Sequence, residues 1–363
     1  MTDKPAIRAE AERLFGIFRA AGAVPVDADI LLPAETLLDL YGEDIRARAY
    51  VTHDPVRGEM MLRPDFTVPV VQAHMTNGAD PARYCYMGEV FRAQEHLGDR
   101  PSEYLQVGFE IFDRSAPEEA DAEVFALFAG ALQPLALTAV TGDLGILTAA
   151  IRGLDTSDRR KSALLRHIWR PARFRTLLDR FSGRSPTPPA RAQLLERLAS
   201  GAPEDMICAA GPLIGLRSAE EVSARAFALL ADADVPPISA LESAMLYDLL
   251  ALETNAAAAL THLRGISRHL PAIGAAVDRF AARLDALSAR GVVLATLPFV
   301  ASHGRSAMEY YDGFVFSFLS GDQVVASGGR YDALTAVLGQ GRSIPAVGGI
   351  IRPHLVAALK GAA

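Results

Sequence analysis

Two apolar runs, Cys85–Phe91 and Tyr104–Phe112, flank a polar segment that carries Gly98, Asp99 and Pro101. Runs of this kind around a turn-rich segment predict two antiparallel strands joined by a longer loop. Successive side chains of a strand point to opposite faces, so the pattern also says what each face carries. On the second strand Gln106, Gly108 and Glu110 share one parity, while Leu105, Val107, Phe109 and Ile111 take the other. Arg92 falls where the first strand ends. A face with an arginine, an amide and a carboxylate beside a glycine suits a small zwitterion. Polar groups at such inward positions are costly unless something pairs with them, so the rest of the chain is constrained to wall in this hairpin.

At 363 residues, half of them apolar, the chain exceeds one small core and predicts one large domain or two ordinary ones. Its formal charge of −7 and the lack of a Lys/Arg-rich run give no electrostatic footprint for nucleic acid. Cys85 and Cys208 are too few for a disulfide framework; each sits in an apolar run and reads as a buried packing residue, which fits a reducing cytoplasm. The N-terminal stretch is charged and amphipathic rather than a signal sequence, and no stretch reaches the roughly eighteen apolar residues that span a bilayer. A soluble cytoplasmic protein is the expectation, with no membrane contact.

Along the chain, helical spacing of Ile7, Ala11, Leu14, Phe15 and Phe18 predicts a first helix, stopped by Gly22. Short strands follow around Asp54–Gly58, with a glycine stop at Gly42 before them. Asp65 and Thr67, two apart, face the same way in an extended segment. Pro117 and the acids after it open a helix whose first-turn carboxylates favour the positive end of its dipole. From about 145 to 290 Ala, Leu and Arg dominate with continuous helical periodicity, interrupted at 182–190; the arginines, interspersed with acids, read as a solvated face. Strand signals return at Val292–Leu294, Phe314–Leu319 and Gln323–Ala326. Gly328-Gly329 reads as a turn entering a helix, with Arg330 placed to face the pocket. The order predicts an α+β fold, an antiparallel sheet flanked by helices and interrupted once, with a core domain at 1–145 and 290–363 and a helical insertion at 146–289.

Five stretches together resemble the catalytic domain of class II aminoacyl-tRNA synthetases, specifically the histidyl branch. They are Leu62-Arg63-Pro64-Asp65-Phe66-Thr67, Gly88-Glu89-Val90-Phe91-Arg92-Ala93-Gln94, Tyr104-Leu105-Gln106-Val107-Gly108-Phe109-Glu110, Glu309-Tyr310-Tyr311-Asp312-Gly313-Phe314-Val315-Phe316, and Gly328-Gly329-Arg330-Tyr331-Asp332. The resemblance implies a histidine pocket of Asp65, Thr67, Arg92, Gln106, Glu110, Tyr310 and Tyr311. Acids there would meet an α-amino group, Arg92 a carboxylate, and a glutamate or tyrosine hydroxyl the imidazole nitrogens. As strand neighbours, Tyr310 and Tyr311 face opposite ways, so one reaches the ligand and the other the core.

The nucleotide side departs from that family. Ser306 stands where the family has a catalytic arginine, with Arg305 one step off. Gln94 replaces an adenine-contacting glutamate, Ser102 a basic loop residue, and Arg352, His354 and Leu355 the last motif's glycine, glutamate and arginine. Adenylate chemistry needs cations aimed at the transferring phosphate. The chain also stops eight residues after Leu355, where histidyl-tRNA synthetases continue into an anticodon-binding domain. This combination is similar to the regulatory-subunit family of ATP phosphoribosyltransferase. That resemblance implies a non-catalytic partner of the short-form catalytic subunit in histidine biosynthesis, a self-dimer paired through the segment around Pro33 within a hetero-oligomer, L-histidine as ligand, and no cofactor, metal or nucleic acid. A working histidine–tRNA ligase is the alternative, and a free-standing histidine-binding protein is the third. The bland readings make Arg92 a surface ion-pair residue, Asp65 a turn acid and Thr67 a cap.

Overall fold

A computed structural model describes residues 4–41, 48–94, 101–212, 214–304 and 310–362; Gly42, Gly98, Asp99, Arg305, Ser306 and Glu309 lie outside the described residues. The chain divides into two compact units, one of residues 1–146, 251–265 and 274–363, the other of 147–250 and 266–273.

The strands of the first unit are β1 (Val24–Pro25), β2 (Leu31–Pro33), β3 (Val51–Asp54), β4 (Gly58–Leu62), β5 (Ala82–Phe91), β6 (Glu103–Phe112), β7 (Thr138–Asp143), β8 (Glu253–Asn255), β9 (Pro298–Val300), β10 (Phe314–Ser320), β11 (Gln323–Arg330) and β12 (Ala346–Ile351). Nine form one sheet in the order β1-β5-β6-β12-β11-β10-β7-β9-β8, and β2-β4-β3 form a small second sheet. Within the large sheet β5 through β7 pair antiparallel, and the short strands β1 and β9 join in parallel. The central hairpin pairs without a slip from Ala82 opposite Phe112 to Phe91 opposite Glu103. Alternation on both strands specifies that register, because a one-residue shift would turn every apolar side chain to the wrong face.

One face of the sheet is the core. Phe18 of helix Lys4–Ala20 packs against Phe109 and Phe128, with centroids 5.4 and 5.2 Å apart. Phe125 and Phe128 of helix Pro117–Leu132 meet the edge of Phe316 at 5.7 and 5.5 Å. Each buried phenylalanine contributes about 1.5–3 kcal/mol relative to an exposed one. The same helix starts with Pro117 and has Glu118 and Glu119 in its first turn, as the sequence predicts.

Several sequence expectations shift. Helix Gly274–Ala289, read as part of the insertion, groups with the sheet unit, because Phe280 packs on Phe299 of β9 at 4.9 Å and its Arg283 is buried under the core face. Val292–Leu294 is turn and coil, and the strand comes later, at β9. Gly328 and Gly329 lie inside β11 rather than in a turn, which turns Arg330 away from the pocket. Cys85 is buried but Cys208, on helix Pro203–Ala209, is exposed.

The second unit is helical, with helices Asp158–Arg166, Pro171–Phe181, Pro189–Ser200, Pro203–Ala209, Ala219–Ala233 and Ala240–Ala251 among its elements. Ser218 and Glu221 cap the fifth of these reciprocally, each side chain bonding the other's backbone N–H. Among the described residues no helix is long and apolar enough to cross a membrane.

Candidate ligand pocket

The sheet face opposite the core is stripped of side chains. Cross-strand partners share a face, and the pairs Gly88–Gln106, Gly108–Ile350, Glu110–Gly348, Gly348–Gly329, Gly329–Val315 and Val315–Gly142 place five glycines on it. At all five a Cβ would fall under 3.0 Å from a neighbouring atom. A Cβ on Gly348 would overlap Glu110 Oε2, and one on Gly108 would run into the Tyr86 ring.

Glu110 stands at the centre, 1 % exposed. Its Oε1 accepts from the Tyr86 hydroxyl at 2.9 Å and from Thr67 Oγ1 at 3.2 Å, and its Oε2 accepts from the Tyr331 hydroxyl at 2.6 Å. The Tyr310 hydroxyl donates in turn to Thr67 Oγ1 at 3.4 Å. Burial pushes the Glu110 carboxyl up to about 7, against the three hydroxyls, which favour its charged form, while the nearby charge of Asp65 adds to the rise. Burial, then the Glu110 charge, holds the Tyr86 and Tyr331 phenols well above their ordinary range, so both stay donors.

Gln106 differs from Glu110. Its side chain is 0 % exposed, and among the described residues neither Oε1 nor Nε2 has a hydrogen-bond partner. Leaving a buried amide unsatisfied costs about 1–3 kcal/mol per group. The site thus holds one carboxylate already met by three hydroxyls and one amide with nothing to bond.

The remaining sequence-selected residues gather on the same side. Asp65 is buried in the turn before helix Thr67–Asn77, close enough for its charge to act on Glu110, Tyr86 and Tyr311. Arg92 Nε donates to Pro64 O at 3.1 Å. Tyr310 and Tyr311 lie before β10, not within a strand, and their rings meet edge-on at 4.9 Å; both therefore sit by the pocket, where strand alternation had divided them. Arg330 is on the core face, bonded to Asp121 Oδ1 at 2.7 Å, to Asp332 at 3.0 Å and to Pro117 O at 2.6 Å.

Four contributors escape the sequence reading. Phe66 stacks on Tyr86 at 4.5 Å with planes 10° apart, and the Arg63 guanidinium covers the other side of Phe66, 4.0 Å from its centroid. Tyr331 was hidden behind the assumed turn at Gly328-Gly329. Tyr86 was findable, since it shares the parity of Gly88 and the hairpin register sets it opposite Gly108.

Beside the pocket, Arg352 donates to Val324 O at 2.9 Å. Burial lowers its pKa, Tyr104 opposes that, and the charge of Arg92 lowers it further. His354 meets the Tyr104 ring edge-on at 5.4 Å. Among the described residues no group of three or more His, Cys, Asp or Glu is placed to hold a metal ion.

The family model for histidyl-tRNA synthetase matches residues 3–235 and 212–354. A relative from Allorhizobium ampelinum named ATP phosphoribosyltransferase regulatory subunit is 32% identical over 347 residues, covering 91% of this chain and 92% of its own. One of the same name from Mesorhizobium japonicum is 31% identical over 385 residues, covering 99% and 98%. The chain belongs to the ATP phosphoribosyltransferase regulatory subunit family. Solved structures agree on the fold. An ATP phosphoribosyltransferase regulatory subunit/histidyl-tRNA synthetase from Bacillus halodurans superposes with a TM-score of 0.68 at 20% identity, over 98% of this chain and 79% of that one. The histidyl-tRNA synthetase of Nostoc sp. PCC 7120 gives 0.64 at 16% identity, over 99% and 73%. The α+β fold of this regulatory-subunit family is therefore the class II synthetase sheet.

Proposed function

We propose that the chain is the non-catalytic regulatory subunit of ATP phosphoribosyltransferase, which acts in the cytoplasm with the short-form catalytic subunit in the first step of L-histidine biosynthesis and its feedback control. The observation that carries the ligand is Gln106, a fully buried amide without a protein partner among the described residues, on the same face of β6 as Glu110, to which Thr67 is bonded and, through Thr67, Tyr310. Histidine matches the chemistry gathered here: its α-ammonium suits the side of Asp65, its carboxylate suits Arg92, and its imidazole, which both donates and accepts, suits the Gln106 amide and the remaining lone pair of Glu110. Bound there, histidine shifts the transferase by binding its inhibited and active assemblies with different affinity.

The loss of ATP chemistry rests on Gln94, Ser102, Ser306, Arg352, His354 and Leu355 standing where synthetases have other groups. Arg352 stands in place of the last motif's glycine and donates to Val324 O at 2.9 Å. Self-pairing through the small sheet is supported by Leu31, Tyr50 and Val51, large apolar side chains left exposed around β2 and β3.

Calorimetric titration of histidine into the chain is the direct test, followed by co-purification with a short-form catalytic subunit and measurement of feedback inhibition. Saturable binding that Gln106→Ala abolishes, with inhibition of the complex lost in the same variant, is expected. Unchanged inhibition in that variant would remove the pocket from the regulatory route, and adenylate formation from histidine and ATP would reinstate a ligase.

A further inference from the structure

Residues 159–197 of the helical unit contain eleven Lys and Arg against two Asp and Glu, in a chain whose formal charge is −7. No two arginines in the second half of this stretch are adjacent, so the charge escapes notice as a run; folding gathers it. Asp232 of helix Ala219–Ala233 is the acid at the centre, and it is already used twice. Its Oδ1 accepts from Arg160 Nε at 2.9 Å and its Oδ2 from Arg191 Nη2 at 3.1 Å. Arg160 is buried and spent, its other N–H groups donating to the carbonyls of Asp232, Val235 and Pro236 at 2.6–3.2 Å. Its guanidinium also lies 5.2 Å from the centroid of the Phe181 ring.

The Arg180 guanidinium lies 4.8 Å from the centroid of that same ring. Among the described residues its buried Nε has no hydrogen-bond partner. Asp179 gives no help, since it accepts from the Tyr247 hydroxyl. Burial lowers the Arg180 pKa first; the charges of Arg191, Arg173 and Arg160 add to this and only Asp232 opposes them. Arg173, exposed, is seven residues earlier on the same helix and so on the same side of it. Arg160 and Arg191 thus share the one carboxylate of Asp232, Arg160 and Arg180 share the Phe181 ring, and Arg173 lies on the same side of the helix as Arg180, so the surplus of positive charge matches a phosphoryl dianion. Guanidinium forks recognise such oxyanions bidentately.

We infer that the helical unit carries a binding site for a small phosphoryl oxyanion, formed by Arg173, Arg180 and Arg191 with Arg160 and Asp232 as its fixed base. A free phosphate ester or pyrophosphate fits better than a nucleic-acid backbone, because the rest of the chain is acidic and repels a long polyanion. The site stands apart from the histidine reading and does not depend on it.

The test is calorimetric titration of the full chain with inorganic pyrophosphate, and separately with a duplex RNA, at low and high salt. Saturable pyrophosphate binding at one site per chain is expected, weakened about tenfold, roughly 1.4 kcal/mol, in Arg180→Ala and in Arg173→Ala. Arg173→Ala changes an exposed side chain and should keep the unliganded thermal midpoint, and Arg180→Lys should fail to restore affinity because an ammonium lacks the fork. Absence of saturable heat, equal affinity in all variants, or tight RNA binding without saturable pyrophosphate binding would each overturn the assignment.

Discussion

Tyr331, which follows the last residue of β11, donates a 2.6 Å hydrogen bond to Oε2 of Glu110 on β6, two strands from β11 in the sheet. With Tyr86 and Thr67 on the other oxygen, this fixes a carboxylate in a place where burial opposes its charge and raises its pKa to about 7. Asp312, which accepts from the backbone of Asp332 and Ala333, is likewise raised to about 7, by burial first and then by the charge of Asp332. For both groups the folded state holds a proton that the unfolded chain, titrating near its ordinary carboxylate value, has released. Stability therefore falls as pH rises from about 4.5 to about 7 and is flat above that. Urea denaturation at about pH 5 and about pH 8 should show a higher midpoint at the lower pH, and Glu110→Gln should flatten part of that slope, by up to ~3 kcal/mol for a fully buried group.

Gly348→Ala tests the steric floor of the pocket. The added methyl occupies the position of Glu110 Oε2 and lies against backbone of β6, which cannot retreat. Expelling Glu110 breaks its bonds to Tyr331 and Tyr86. A loss of about 1–3 kcal/mol in thermal or chemical denaturation is expected, the usual cost of overpacking a close-packed site. Gly274→Ala, where a Cβ meets nothing, is the control and should stay within about 0.5 kcal/mol of the parent.

Much of this site is legible in the sequence for one reason: strand alternation is periodic, and a hairpin's register carries that periodicity across to the partner strand. Gln106, Gly108 and Glu110 fall on the pocket face as predicted, with Val107, Phe109 and Ile111 in the core. What stays illegible depends on where strands begin and end. Gly328-Gly329 carries the signature of a turn but pairs with Gly349 and Gly348 inside the sheet, because only glycine lets neighbouring backbones approach so closely there. That one misplacement sent Arg330 to the wrong face and hid Tyr331. Helix Gly274–Ala289 has the same alanine-rich character as the insertion before it, and its tertiary contacts, Phe280 on Phe299 and Arg283 with Asp121 and Asp143, tell them apart.

Asp121→Ala should be the most damaging of the substitutions. Asp121 is wholly buried and joins two cations from distant parts of the chain, Arg283 Nε at 2.8 Å and Arg330 Nη2 at 2.7 Å. Arg283 keeps Asp143 at 2.7 Å and Arg330 keeps Asp332 at 3.0 Å, so the truncation leaves each guanidinium with half its acids. Removing one partner of a buried ionic network costs about 3–5 kcal/mol. A large drop in the unfolding midpoint is expected, and Asp121→Asn, which keeps shape and acceptor but not charge, should fall in between. A midpoint within about 1 kcal/mol of the parent would show that the network gives little net stability.

Gln106→Leu separates a binding amide from a merely structural one. An amide buried without partners destabilises the empty protein, and an apolar side chain of similar size removes that cost without leaving a cavity. The unliganded variant should therefore be more stable than the parent, by about 1 kcal/mol or more in chemical denaturation. If histidine is what the amide waits for, the same variant should lose histidine binding and the histidine-induced rise in melting temperature, because bound ligand stabilises in proportion to its affinity. A core residue would show the first effect alone or the opposite sign; a ligand residue kept at the expense of stability shows both.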